Sequence, residues 1–292
     1  MLAEEHDVVA VVSQPDRRAG RGMRVHEPPT KQRATELGIP VLQPAKVRGN
    51  DEFLSQLQAL QLDVIITAAY GQILPQAVLD IPTHGVLNVH GSILPRWRGA
   101  APVQWALMSG DAETGITIMQ TDAGMDTGPI RLIRTLPITQ HTTALTLFND
   151  LAELGATALS EALTQLAAGT LPLTPQNEAE ATHARMLTPA DGHLPWADTA
   201  QQCYQRWQGT LAWPGVSFAY EDERVKVSSM QVASETGTGT PGTIVGLTQA
   251  GLLVQCGSGV LELLRVKAPG KREMDATAWA HGREVRRGDR LG

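Results

Sequence analysis

The sequence predicts an α/β domain built on a parallel-rich sheet, followed by a small antiparallel β-barrel domain. Three observations point there. Up to about residue 168, apolar runs of strand length alternate with helical patterns, which is the signature of βα units. The run LDVIITAAY (62–70) is predominantly apolar and of strand length, as expected of a strand covered on both faces. Beyond an aperiodic, proline-containing stretch at 169–187, the texture changes to short strands broken by Gly, Pro, Ser and Thr. The expected division is a catalytic domain at 1–168, a linker at 169–187 and a barrel domain at 188–292.

The elements follow in order. VVAVVSQ (8–14) is a β-branched run ending at Pro15, a buried strand. DRRAGRGMRVHEPP carries glycines, prolines and four arginines, and is expected to be an exposed basic loop without regular structure. TKQRATELG (30–38) reads as a helix capped by Thr30 and stopped by Gly38. IPVLQP is a short strand and DEFLSQLQALQ an amphipathic helix. After 62–70 come GQILPQAVLD, a strand at GVLNVHGS, a helix through APVQWALMSG and a strand at TGITIMQTD. Residues 143–168 are helical in pattern. A short helix near 200–209 precedes strands at VKVSSMQV, GTIVGL, GLLVQCG and GVLELLRVK.

Composition narrows the function. The chain has 292 residues, 42% hydrophobic and 18% charged, ordinary for a folded protein, and no apolar run approaches the roughly 20 residues that cross a bilayer. Met1 is followed by acidic LAEEHD rather than a basic n-region, so a cytoplasmic location is expected. Cys203 and Cys256 are the only cysteines and form no CxxC; they are expected to be reduced thiols, and no metal site is expected. The net charge is −6, unevenly spread. Residues 1–48 hold 8 Lys/Arg against 6 Asp/Glu, residues 49–264 hold 8 against 20, and residues 265–292 hold 8 against 4. Basic ends on an acidic body can steer a polyanion.

The chemistry concentrates at LNVHGSILPRWRGAAP (87–102). Residues two apart share a strand face, so Asn88, His90 and Ser92 are expected to point together, near the carboxyl end where ligands sit in open α/β sheets. TIMQTDAGMDTGPI places Asp122 and Asp126 in a glycine-containing loop after another strand. An amide donor, an imidazole and a carboxylate form a workable acyl-transfer set. From spacing alone a histidine so placed is more often a satisfied structural residue. Ser92 lacks a GxSxG elbow, which favours direct transfer between two bound substrates over a covalent enzyme intermediate.

NVHGSILPRWRGAAPVQWAL, followed by GDAETGITIMQTDAGMDTG, resembles the signature of the methionyl-tRNA formyltransferase family, and Asn-x-His-x-Ser-x-Leu-Pro resembles the wider group of enzymes that use 10-formyltetrahydrofolate. SQPDRRAGRGM, AAYGQILP and LLRVKAPGKREM resemble further segments of that family. The resemblance implies a Rossmann-like formyltransferase domain with an OB-like C-terminal domain, and transfer of a formyl group to the α-amine of methionyl initiator tRNA, in translation initiation. It implies catalytic roles for Asn88, His90 and Asp126, and folate contacts at Ser92, Ile93, Leu94, Pro95, Tyr70, Gly71 and Ile73. It implies tRNA contacts at Arg17, Arg18, Arg21, Arg24, Lys267, Lys271 and Arg272, and a monomer without metal or membrane. In that family a strand, glycine-rich turn and helix precede the segment matching VVAVVSQPD. The resemblance therefore also implies an N-terminally incomplete catalytic domain, a sheet with unpaired inner edges, and an open question about activity. Pro129 and Pro195 are smaller departures. Another formyltetrahydrofolate-dependent transferase or hydrolase, or an inactive folate- or RNA-binding remnant, would share the same core.

Overall fold

The computed structural model describes residues 2–19 and 24–292. In chain order the elements are α1 (Leu2–Glu5), β1 (Val11–Val12), β2 (Arg17–Ala19), β3 (Arg24–His26), α2 (Pro29–Glu36), β4 (Val41–Leu42), α3 (Asp51–Ala59), β5 (Ile65–Ala68), α4 (Gln76–Leu79), β6 (Val86–His90), β7 (Arg98–Gly99) and α5 (Pro102–Met108). They continue with β8 (Glu113–Gln120), β9 (Ile130–Pro137), α6 (Ala144–Ala167), β10 (His183–Ala184), α7 (Ala200–Thr210), β11 (Val216–Tyr220), β12 (Glu223–Ser234), β13 (Ile244–Leu247), β14 (Leu252–Gln255), β15 (Val260–Lys267), β16 (Met274–Asp275) and α8 (Ala276–Gly282).

The chain divides into two compact units. One comprises Met1–Arg98, Gly115–Thr135 and Leu151–Thr182; the other comprises Gly99–Thr114, Leu136–Asp150 and His183–Gly292. The sequence suggested a single cut within 169–187, but two earlier segments also join the second unit. Their packing explains it: Gly209 of α7 lies against Gln104 and Met108 of α5, and the Gln208 amide donates to the carbonyls of Gln140 and Thr142.

In the first unit β1 and β4 pair in parallel, Val11 opposite Val41. A separate sheet has the order β5-β6-β8-β9. β5 and β6 are parallel, with Ile65 opposite Val86 and Thr67 opposite Asn88. β6 and β8 are antiparallel, with Leu87 opposite Gln120 and His90 opposite Thr117. The α/β class holds, with β5 and β6 as the parallel pair of this sheet; β9 follows β8 as a hairpin and is antiparallel to it in turn, the Gln120 amide donating to the Pro129 carbonyl at 2.9 Å. A parallel pair needs its connecting helix to carry the chain back across the sheet; α5 instead groups with the second unit. The run at 62–70 is not covered on both faces: Ile65, Ile66 and Thr67 are half-buried and Ala68 is exposed, because β5 ends the sheet. The centre of the sheet is tight, with Val86, Leu87 and Ile118 fully buried. Helix α6 approaches it at Gly155, where a Cβ would meet Val89 at 3.1 Å.

Two local expectations are corrected. The basic segment is not without regular structure, since β2 and β3 pair antiparallel, Arg17 opposite His26. Helix α2 begins at Pro29, so Thr30 lies inside its first turn rather than capping it; proline suits a first helical position because its missing N–H would be unpaired there anyway.

The second unit is antiparallel, as expected, with strand order β11-β12-β15-β14-β13 and β16 added to β15. Its end strands β11 and β13 are not paired with each other among the described residues. Phe218, Leu252, Leu261, Leu263 and Trp279 form its centre, where Cys203 and Cys256 are buried free thiols. No helix among the described residues is long and apolar enough to cross a membrane.

Candidate active site

Asn88 and His90 stand on β6 two residues apart and share a face. Each is oriented by a neighbour that the sequence did not single out. The Thr67 hydroxyl, directly across on β5, donates to Asn88 Oδ1 at 2.9 Å. That fixes the amide so that its Nδ2 donors point away from Thr67, with no protein partner among the described residues. His90 is buried, and its Nε2 lies 2.9 Å from the Trp97 carbonyl. A carbonyl only accepts, so Nε2 carries the proton there and Nδ1 is the nitrogen left for chemistry. Nδ1 lies 3.6 Å from Asp126 Oδ1.

Asp126 arrives by a different route. Because β8 runs antiparallel to β6, its end at Gln120 is level with Leu87, not with His90. The carboxylate reaches His90 only because loop 121–129 doubles back. Within it Asp122 accepts from the Gly124 amide at 3.0 Å and the Thr127 hydroxyl at 2.8 Å, a turn closed on itself. Gly128 is required, since a Cβ there would run into the Gln120 carbonyl. Asp126 has φ +55°, Trp97 +63° and Ala69 +48°. Left-handed backbone at a non-glycine costs on the order of 1–3 kcal/mol, and such residues cluster where the surroundings enforce them.

The other expected residues fall in several places. The polar alternation stops at His90: Ser92 lies past the strand, fully buried, its hydroxyl donating to the Arg96 carbonyl at 2.6 Å. Leu94 is buried and its amide donates to Thr117 Oγ1 at 3.0 Å, while Thr117 donates to the Ser92 carbonyl at 2.7 Å. Ile93 and Pro95 are half-buried. Ser92 and Leu94 thus shape the turn with their side chains turned inward. In the other turn Ile73 and Gly71 are exposed, but Tyr70 packs against the cluster of Val47, Phe53, Leu57 and Val78, and burial pushes its hydroxyl pKa up. Arg17 is exposed on β2; Arg18 and Arg24 lie on β2 and β3; Arg21 lies outside the described residues. Lys267, Lys271 and Arg272 are exposed on the second unit. They form no salt bridge among the described residues, whereas nearby Arg265 is paired with Glu273 and Asp275.

An oriented amide, an imidazole whose Nε2 is committed and a carboxylate beside it, at the end of an α/β strand, are the groups that a group transfer through an oxyanion calls for. Residues 2–163 match the formyl transferase family and residues 186–284 its C-terminal domain, and the chain belongs to that family. It is 45% identical to the methionyl-tRNA formyltransferase of Deinococcus radiodurans, covering 99% of this chain and 90% of that one. It is 43% identical to the methionyl-tRNA formyltransferase of Sorangium cellulosum, covering 100% and 94%. The fold is similar to that of the Helicobacter canadensis N-formyltransferase solved with folinic acid and dTDP-3-aminofucose, with a TM-score of 0.68 at 14% identity, over 90% and 92% of the two chains. It is also similar to HypX of Aquifex aeolicus solved with tetrahydrofolic acid, with a TM-score of 0.61 at 19% identity, over 85% and 43%.

Proposed function

We propose that the chain moves the formyl group of 10-formyltetrahydrofolate to the α-amino group of methionine carried on initiator tRNA. The observation that carries this reading is the convergence of Asn88, His90 and Asp126, together with 45% identity to a methionyl-tRNA formyltransferase over nearly the whole chain. Attack of an ester α-amine on a formyl carbon puts negative charge on the formyl oxygen. Asn88 Nδ2 donates to that oxygen while Thr67 holds the other end of the amide. His90 in its protonated form donates from Nδ1, its Nε2 being committed to Trp97. Asp126 balances the imidazolium and takes up the amine proton, directly or through water; as the oxyanion collapses back to a carbonyl, the bond from the formyl carbon to N10 breaks and that proton passes to N10 of the departing tetrahydrofolate.

Folate would lie against the two turns after β5 and β6, with Gly71 and Ile73 offering exposed surface and the 92–95 turn offering backbone. The exposed Arg17 of β2 and the exposed Lys267, Lys271 and Arg272 of the second unit are suited to phosphate contacts, which set affinity without reading sequence. The test is a formylation assay comparing methionyl initiator tRNA with amino sugars and glycinamide ribonucleotide. Turnover with the tRNA at least a hundredfold faster supports the reading. Faster turnover of a small amine, or folate binding without transfer to any amine, overturns it.

A further inference from the structure

Loop 121–129 carries the catalytic carboxylate in a backbone conformation that it does not favour, and the segment leaving α6 ties it down. Gln176 stands at the centre of this tie. Its Nε2 donates to the carbonyl of Asp126 itself at 2.8 Å and to that of Gly128 at 2.7 Å. Its Oε1 accepts from Arg98 Nε at 3.0 Å and from Arg98 Nη2 at 2.8 Å. A carboxamide has two donor hydrogens and two acceptor lone pairs, so all four are used.

Arg98 is 2% exposed and is held in turn by the Glu178 carboxylate, Nη1 to Oε2 at 2.9 Å and Nη2 to Oε1 at 2.7 Å, which raises its pKa. The same segment also grips the turn that orients His90. The Trp97 amide donates to Thr182 Oγ1 at 2.9 Å, the Arg98 amide donates to the Thr182 carbonyl at 2.9 Å, and Thr174 exchanges backbone hydrogen bonds with Ile130. All these groups belong to the first unit.

We infer that Gln176 is a positioning residue for formyl transfer, its amide fixing the Asp126 backbone and, through Arg98, locking that loop to the turn whose Trp97 carbonyl orients His90. This rests on the catalytic reading of Asp126. Glutamate at 176 keeps the size and the contact to Arg98 but loses both donors and sets an anionic oxygen against two carbonyls.

Q176E should therefore lower kcat 10- to 100-fold, the scale of a misplacement near 1 Å. The KM values for tRNA and formyl donor should stay within about threefold, since groups that act only in the transition state change kcat. In a D126N background the same change should alter residual kcat by less than about twofold, because the residue it positions is already disabled. Amide exchange at 124–128 should quicken at least about tenfold in Q176E at an unchanged melting temperature. Equal kcat losses in both backgrounds, or unaltered exchange at 124–128, would overturn the inference. The exchange measurement needs no turnover, so a wild-type chain that fails to formylate tRNA would count against the proposed function while the exchange rates still decide the role of Gln176.

Discussion

The two halves of the site are built differently. Asn88 and His90 stand on a strand in the middle of a sheet, where ladder hydrogen bonds and the buried Val86 and Leu87 set their directions. Asp126 hangs in a loop with left-handed backbone, and distant parts of the chain hold it there. The strand half needs only the Thr67 hydroxyl on Asn88 and the Trp97 carbonyl on His90 to complete it. The loop half needs a glycine with no room for a Cβ, an Asx turn and a glutamine fifty residues further on. For the proton uptake proposed for Asp126, a place outside the ladder is an advantage, because loops on a rigid scaffold can reach positions that strands cannot.

Substitutions separate the two halves, beginning with the strongest effect. H90A removes the free Nδ1 and the anchor to Trp97 together, and should lower kcat by about 10²–10³, the usual cost of losing a group that stabilises transition-state charge. A loss under about tenfold in steady-state kinetics would move His90 out of the chemistry. T67V tests the strand half indirectly. The amide of Asn88 stays but one end is released, so kcat should fall about tenfold, the value of one hydrogen bond. Unchanged turnover would mean that the ladder alone orients the amide.

D191N touches neither half. Asp191 is buried in the second unit, where the Arg185 guanidinium and the Thr188 amide and hydroxyl hold its pKa far below the usual carboxylate range. A depressed folded-state pKa gives stability that is present above the unfolded value and lost as pH falls through the folded one. The variant should therefore be less stable by about 1–3 kcal/mol near neutrality. Its deficit should shrink as pH drops below about 4. Thermal unfolding across that range checks both, and kcat should stay within about twofold.

The same contrast explains what the sequence disclosed. Period-two spacing located Asn88 and His90, because strand geometry turns spacing into direction. It failed one step later at Ser92, where the strand had ended and the hydroxyl turned back onto Arg96. Asp126 was legible only as a carboxylate in a glycine-containing loop and through family resemblance, since nothing local says where a loop doubles back. Thr67 carried a faint signal as a lone hydroxyl in an apolar run. Gln176 carried none, its partners lying far away in sequence. The regrouping of α5 goes with its packing on α7, where Gly209 lies against Gln104 and Met108. The β2–β3 pairing was hidden because the segment's glycines and prolines argue against regular structure.

The measurement that bears most directly on the site is turnover of N88A alongside its affinity for tetrahydrofolate. Formylation slowed about 10²–10³-fold with folate affinity within twofold is the result expected of an amide that acts only on the developing oxyanion. Turnover within a few-fold of the wild-type chain would contradict it.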